Sequence, residues 1–298
     1  MSIPARWIPE NASSGFWSIS TPVFIRGFSE IASQYDAVIC DVWGVVHNGR
    51  DAFQPAVDAI RRFRAQRGPA ILLSNAPRLA DGVEAQFERL GIPLDFYDGI
   101  VTSGSVARDD LIRRLEHRDE LPLFYLGPAR DNPVFHGLHI RFVDADAAEL
   151  VFCTGLLDDE SEVPGDYRKL LEGFRARELP FLCANPDVVV QRGDRLVYCA
   201  GAVARLYESL GGRAVYFGKP HRAVFERAIE IARRISPAQN VIVIGDGIET
   251  DIAGAQNSAL DALFIAGGIH AGDDEMALAQ LFREQRVQAV AAMHALSW

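Results

Sequence analysis

Short runs of uniformly apolar residues, each followed by a segment of helical period, constrain this chain more than any other feature. Residues 37–41 (AVICD), 69–73 (PAILL), 99–102 (GIVT), 241–244 (VIVI) and 261–265 (DALFI) are such runs. A strand that is apolar on both faces must be covered on both faces, and helices between successive strands supply the cover. Helical spacing follows at 55–67, where Pro55 suits a first turn and Gly68 an exit, and again up to Leu90, with Gly91 as its stop. A further helix starts at about Ser105. The terminal third repeats the scheme: strand 214–217 leads to helix 221–234, strand 241–244 to helix 250–257, and strand 261–265 to a helix from about Asp273. The reading is a three-layer α/β fold around a parallel sheet, and such folds bind ligands at the carboxyl ends of their strands.

The middle third breaks this rhythm. Residues 119–200 hold short strands at 123–126, 151–153 and 181–183, one helix at 165–178 and many turns. That reads as an inserted domain, giving an N-terminal extension at 1–30, a core at 31–104, an insert at 105–200 and the rest of the core at 201–298. A length of 298 residues accommodates two domains. With 49% hydrophobic and 23% charged residues, the chain is neither disordered nor fibrous. A net charge of −10 repels phosphate backbones, which argues against nucleic acid and anionic membrane as partners. No apolar run approaches the roughly 18–20 residues of a membrane span. Residues 1–9 carry no secretory pattern, and Cys40, Cys153, Cys183 and Cys199 form no CxxC pair, so reduced thiols and a cytoplasmic location are expected. A small anionic substrate requires a local positive pocket.

Four polar sites follow four strands. Asp41 ends the first, within VICDVWGVVHNG (38–49), where Gly44 lets the chain turn away. Ser74 and Asn75 end the second, within ILLSNAPR (71–78), where a hydroxyl and an amide can donate to an anion. Lys219 stands in FGKP (217–220), at a strand-to-helix junction. In VIVIGDGIETDIAGA (241–255), Asp246 is followed by Glu249 and Asp251, carboxylates that repel one another unless a cation sits among them. Taken singly, these are cap and turn residues. Together they provide what phosphoryl transfer to an aspartate requires: a nucleophile, donors for the phosphoryl oxygens, and hard oxygen ligands for Mg²⁺.

These motifs resemble the haloacid dehalogenase superfamily over about residues 36–270. Ser74 and Lys219 stand 145 residues apart, room for a cap domain. A cap in that place resembles class IIA, the 4-nitrophenylphosphatase-like and pyridoxal-phosphate-phosphatase-like hydrolases. IVTSG (100–104), ANPD (184–187) and GDGIETDI (245–252) support the likeness, as does CAGAVARLYESLGGRAVYFGKP (199–220), which resembles the segment where such caps rejoin the core. The resemblance implies a Rossmann-like core with an inserted α/β cap of C2 type. It also implies phosphatase activity on a small phosphorylated metabolite, with Asp41, Ser74 and Lys219 catalytic. Mg²⁺ would sit on Asp41, the Trp43 carbonyl and Asp246, with Asp251 assisting. Trp43, Gly44, His47, Asn75, Arg78 and Asn185 would contact substrate, with Asp187 at the cleft, and similar proteins suggest a homodimer.

One departure stands out. Phosphatases of this kind read DxD in the first motif, and their second Asp protonates the leaving group and then activates water. Here that position is Trp43, whose indole does neither. The phrase resembles a D-x-W-G-V-x-H form found in a class IIA-like group, which implies no particular substrate. Three outcomes follow: His47 substitutes as acid and base, the leaving group needs no proton, or the protein binds a phosphorylated ligand without turnover. Carbon–halogen cleavage, which also dispenses with the second Asp, goes with caps of another class.

Overall fold

The computed structural model describes residues 22–192, 195–267 and 274–298. In chain order the strands are β1 (Ala37–Asp41), β2 (Ala70–Ser74), β3 (Gly99–Thr102), β4 (Leu121–Leu126), β5 (Ile140–Phe142), β6 (Leu150–Cys153), β7 (Phe181–Cys183), β8 (Val189–Arg192), β9 (Arg195–Tyr198), β10 (Ala214–Tyr216), β11 (Val241–Gly245), β12 (Asp261–Ile265) and β13 (Ala291–Met293). The helices are α1 (Gln54–Gln66), α2 (Ala80–Arg89), α3 (Ser103–Leu115), α4 (Arg168–Ala176), α5 (Ala200–Ser209), α6 (Arg222–Ile235), α7 (Ala253–Asn257) and α8 (Glu275–Gln285).

The first sheet runs β13-β12-β11-β1-β2-β3 and is parallel throughout. Its side chains alternate between two cores, as the pleat requires. On β1, Val38 and Cys40 pack with α1 and α2, while Ala37 and Ile39 pack with α6 and α8. This is the expected three-layer core. The second sheet, β10-β7-β6-β4-β5, is also parallel. Helices α4 and α5 cover one of its faces and α3 the other, through Ala107 and Leu111. The β8–β9 hairpin stands beside it. No helix among the described residues is long and apolar enough to cross a membrane.

Two expectations change. Strand 214–217 was assigned to the core, but β10 pairs with β7 in the second sheet, and α5 packs its Ala200, Val203 and Tyr207 onto the same sheet. The return to the core therefore falls near 217 rather than 201. Residues 22–30, assigned to an extension, belong to the core. Phe24 bridges to Ala292 on β13, and the buried Phe28 stacks on Phe63 of α1 at 5.4 Å. Burying such a ring contributes about 1.5–3 kcal/mol. Residues 1–21, and the helix start expected at Asp273, lie outside the described residues.

The chain crosses between the sheets twice, side by side. The first crossing is the start of α3, where Thr102 caps the helix by accepting from the Ser105 N–H at 3.0 Å. The second is Gly218. Its φ of +134° and the crowding at its Cα (a Cβ would lie 2.1 Å from Ser103 Oγ) demand glycine there.

Candidate active site

Parallel register brings the strand ends together. Asp41 pairs with Leu73, Ser74 with Thr102, and Cys40 with Ile244, so Asp41, Ser74 and Asp246 emerge at one sheet edge. A cleft of about 890 Å³ lies over this edge, between the core and the second sheet. Asp41, Trp43, Gly44, Ser74, Lys219 and Asp246 line it.

Lys219 is buried, and its Nζ lies 2.6 Å from Asp41 Oδ1 and 2.9 Å from Asp251 Oδ1. Asp41 Oδ1 also accepts from the Val42 N–H at 2.7 Å. Asp251 Oδ2 accepts from the Gly247 N–H and the Thr250 hydroxyl, each at 3.2 Å. Burial alone would lower the Lys219 pKa, but Asp251 and then Asp41 raise it above its ordinary value, so the amine stays charged. Burial and then Asp251 push the Asp41 carboxyl up to about 7, against the pull of Lys219. Burial, Asp41 and Asp251 push Asp246 up well above the carboxylate range.

One oxygen from each of Asp41, Asp246 and Asp251 falls within a cluster 4.8 Å across. Lys219 pairs with Asp41 and Asp251 only, and Asp246 has no ion-pair partner among the described residues. Oxygen-only donors with excess negative charge are the set a hard divalent cation takes, and these residues fit one. Gly44 lies against this group: at φ +87°, a Cβ there would sit 2.0 Å from Asp246 Oδ2. The Trp43–Gly44 peptide therefore borders the carboxylates. Glu249 is turned elsewhere, accepting from Gln285 at 3.0 Å.

Asn75 is committed to the protein itself. Its Oδ1 accepts from the Lys219 N–H at 2.7 Å and from Ser103 Oγ at 3.2 Å, and its Nδ2 donates to Asp187 at 2.8 Å and to the Lys219 carbonyl at 3.2 Å. The residue thus fixes Lys219 and links core to insert. Ser74 Oγ accepts from the Ala76 N–H at 3.2 Å, and Asn185 Oδ1 from the Asp187 N–H at 3.1 Å. The Trp43 indole fills the space beside Gly49 and meets the His47 ring edge to face at 5.2 Å. His47 is buried against Phe87, and its Nδ1 accepts from the Gly49 N–H at 3.0 Å. Burial, then Arg78, lower its pKa to about 4, so the imidazole is neutral with its proton on Nε2.

Arg78 reaches across the cleft to the buried Asp131 of the second domain, at 3.8 Å. Sequence reasoning missed Asp131 and its neighbours Arg130, Asp159 and Arg192. Arg192 donates twice to Asp159, at 3.1 and 2.8 Å, and Arg130 bonds the same carboxylate. No local signal marks these residues, because they come from separate places in the fold, the segments after β4 and β6 and the end of β8.

Residues 38–141 match the family model described as haloacid dehalogenase-like hydrolase, and residues 216–291 match a second one, described as HAD-hydrolase-like. A hydrolase of the haloacid dehalogenase-like family from Brucella suis 1330 superposes with a TM-score of 0.80 at 44% identity, covering 92% of this chain and 100% of that one. Ribonucleotide monophosphatase NagD of Escherichia coli K12 is 23% identical over 240 residues, 80% of this chain and 90% of its own length. Glycerol phosphate phosphatase of Mycobacterium tuberculosis, solved in complex with magnesium, has a TM-score of 0.62 at 22% identity, with 88% and 81% of the two chains covered.

Proposed function

This chain belongs to the haloacid dehalogenase-like hydrolases, class IIA, and from that premise we propose that it is an Mg²⁺-dependent phosphatase of a small phosphorylated metabolite, with Asp41 as nucleophile. The observation that carries the reading is the Lys219 bridge. It occupies Asp41 Oδ1 and ties the carboxylate down at the sheet edge that also carries Ser74 and Asp246. The phosphatase name of NagD and the magnesium in the mycobacterial structure support it.

Asp41 Oδ2 attacks phosphorus, the bond to the ester oxygen breaks, and an aspartyl phosphate forms on Asp41. Water then attacks that phosphorus, releasing inorganic phosphate and restoring the carboxylate. Lys219 and the Ser74 hydroxyl donate to the phosphoryl oxygens. Asp41, Asp246 and the Trp43 carbonyl would hold Mg²⁺, with Asp251 assisting, and a bound ion would supply charge neutralisation between nucleophile and phosphate. Trp43 supplies no proton. His47, neutral and with Nδ1 held by Gly49, replaces it poorly. General acid–base help is typically worth 10²–10⁴-fold, so the preferred substrate is one whose leaving group departs without a proton. The four cysteines, all buried and unpaired, accord with a reducing cytoplasm. A homodimer completes the reading.

The test is kcat/KM over aryl and alkyl phosphates of graded leaving-group pKa, with wild type, Asp41→Asn and Trp43→Asp in parallel. A steep dependence that Trp43→Asp flattens is expected. Absence of Asp41-dependent turnover across the series sinks the proposal. Trp43 favours one other reading, ligand binding without hydrolysis, which saturable binding in that case would establish.

A further inference from the structure

We propose that the substrate carries a second anionic group, a carboxylate or second phosphate, bound by Arg78, Arg89, Arg130 and Arg192 where the two domains meet across the cleft. The inference rests on the phosphatase reading for the group that is cleaved, and it names the class of the remainder.

All four arginines line the same cleft as Asp41 and Lys219. Two belong to the core, Arg78 in the loop after β2 and Arg89 in the last turn of α2. Two belong to the insert, Arg130 beside Asp131 and Arg192 at the end of β8. Among the described residues their carboxylate partners are only Asp131 and Asp159, so two positive charges remain over. The single Asp159 holds both Arg130 and Arg192. Arg78 and Asp131 face each other at 3.8 Å, too far for a hydrogen bond, and Arg78 Nε and Asp131 Oδ1 have no hydrogen-bond partner among the described residues. An anion reaching this point gives the arginines the acceptor that the protein withholds. The mutual repulsion is already felt: burial first, then Arg130, Arg89 and Arg192 lower the pKa of Arg78, against Asp131.

The remaining acidic groups of the cleft do not cancel this field. Asp41 and Asp246 belong to the cation cluster, Asp187 is held by Asn75, and Glu249 by Gln285. A chain with a net charge of −10 that gathers arginines from both domains at one cleft spends them where an anion is to be recognised. The cleft, at about 890 Å³, also has room well beyond one phosphoryl group.

The test uses Asp41→Asn protein, which retains its ligand uncleaved, and calorimetric titration in Mg²⁺ with a matched pair: a phosphorylated alcohol and a phosphorylated carboxylic acid of the same carbon length. The acid should bind at least tenfold more tightly. A bisphosphate of that length tells a second phosphate from a carboxylate. Adding Arg192→Gln should bring the ratio to within about threefold, since one charge-assisted hydrogen bond is lost. Adding Asp159→Asn should widen it by freeing two arginines, a rise that misfolding does not produce. Equal affinity for alcohol and acid, or loss in Arg192→Gln that is proportionate for both, overturns the proposal. Wild-type turnover is measured separately. A ratio that holds without turnover refutes only the phosphatase reading, and turnover without a ratio refutes only this one.

Discussion

His47 decides whether the tryptophan in the first motif has a stand-in, and its protonation can be read from stability. Folding lowers the pKa of its imidazole from 6.5 to about 4, chiefly because the ring is buried beside Trp43 and Phe87. Between those values the unfolded chain binds a proton that the folded chain refuses. The contribution is therefore intact above pH 6.5 and is lost as pH falls towards 4. Worked through linkage, the folded state loses about 0.2 kcal/mol at pH 7, about 2 kcal/mol at pH 5 and about 3 kcal/mol at pH 4 from this one group. In His47→Asn the amide oxygen still accepts from the Gly49 N–H and nothing titrates. Urea denaturation of both proteins at these three pH values isolates the term, because every other group cancels in the difference. The gap should shift by about 3 kcal/mol in favour of the variant between pH 7 and 4. Parallel stability curves would show that His47 is free to charge near neutrality, which would return it to the role of general acid.

Three further outcomes follow from the geometry. Gly44→Ala forces a Cβ to within 2.0 Å of Asp246 Oδ2 at φ +87°, so turnover should fall about 100-fold through displacement of Asp246, with about 1–2 kcal/mol of stability lost to strain, seen by kinetics and denaturation. Asn75→Ala strips partners from the Lys219 N–H, Ser103 and Asp187 at once, and a loss of about 3 kcal/mol or more is expected in denaturant titration. Saturating Mg²⁺ should raise the Tm of wild type, by about 2.7 kcal/mol of stability at a hundredfold excess over Kd, and should do so far less in Asp246→Asn.

The first and last thirds of the chain were readable because their strands are apolar on both faces and end in chemistry. A run such as 37–41 has one stable environment, and the register of a parallel sheet then dictates where Asp41 points. The strand at 214–217 exposed the limit of that argument. Its pattern resembles the others, yet pattern does not say which sheet a strand joins, and the exposed Val215 marks it as an edge of the second sheet. The core role of 22–30 hangs on Phe28, a single aromatic whose pocket is built by α1 and the C-terminal residues. The three-residue β13 was invisible for a similar reason: it exists by pairing. Trp43 and His47 were legible as identities, while their mutual packing over Gly49 was not. Arg78 was legible beside Ser74 as a candidate anion ligand, but Arg89, Arg130 and Arg192 left no trace, since charges 41 and 62 residues from Arg130 carry no period.

The adjoining crossings at Ser103 and Gly218 have a mechanical consequence. Lys219 follows the second crossing directly and is clasped by Asn75 of the core, so it sits at the fulcrum between the two sheets. Only Phe217 and Gly218 separate it from β10, a reach of at most about 10 Å. Any swing of the second sheet about that fulcrum would move Arg130 and Arg192 while hardly altering the distance from lysine to nucleophile. Substrate admission and the alignment of the reacting groups would then belong to opposite ends of one lever.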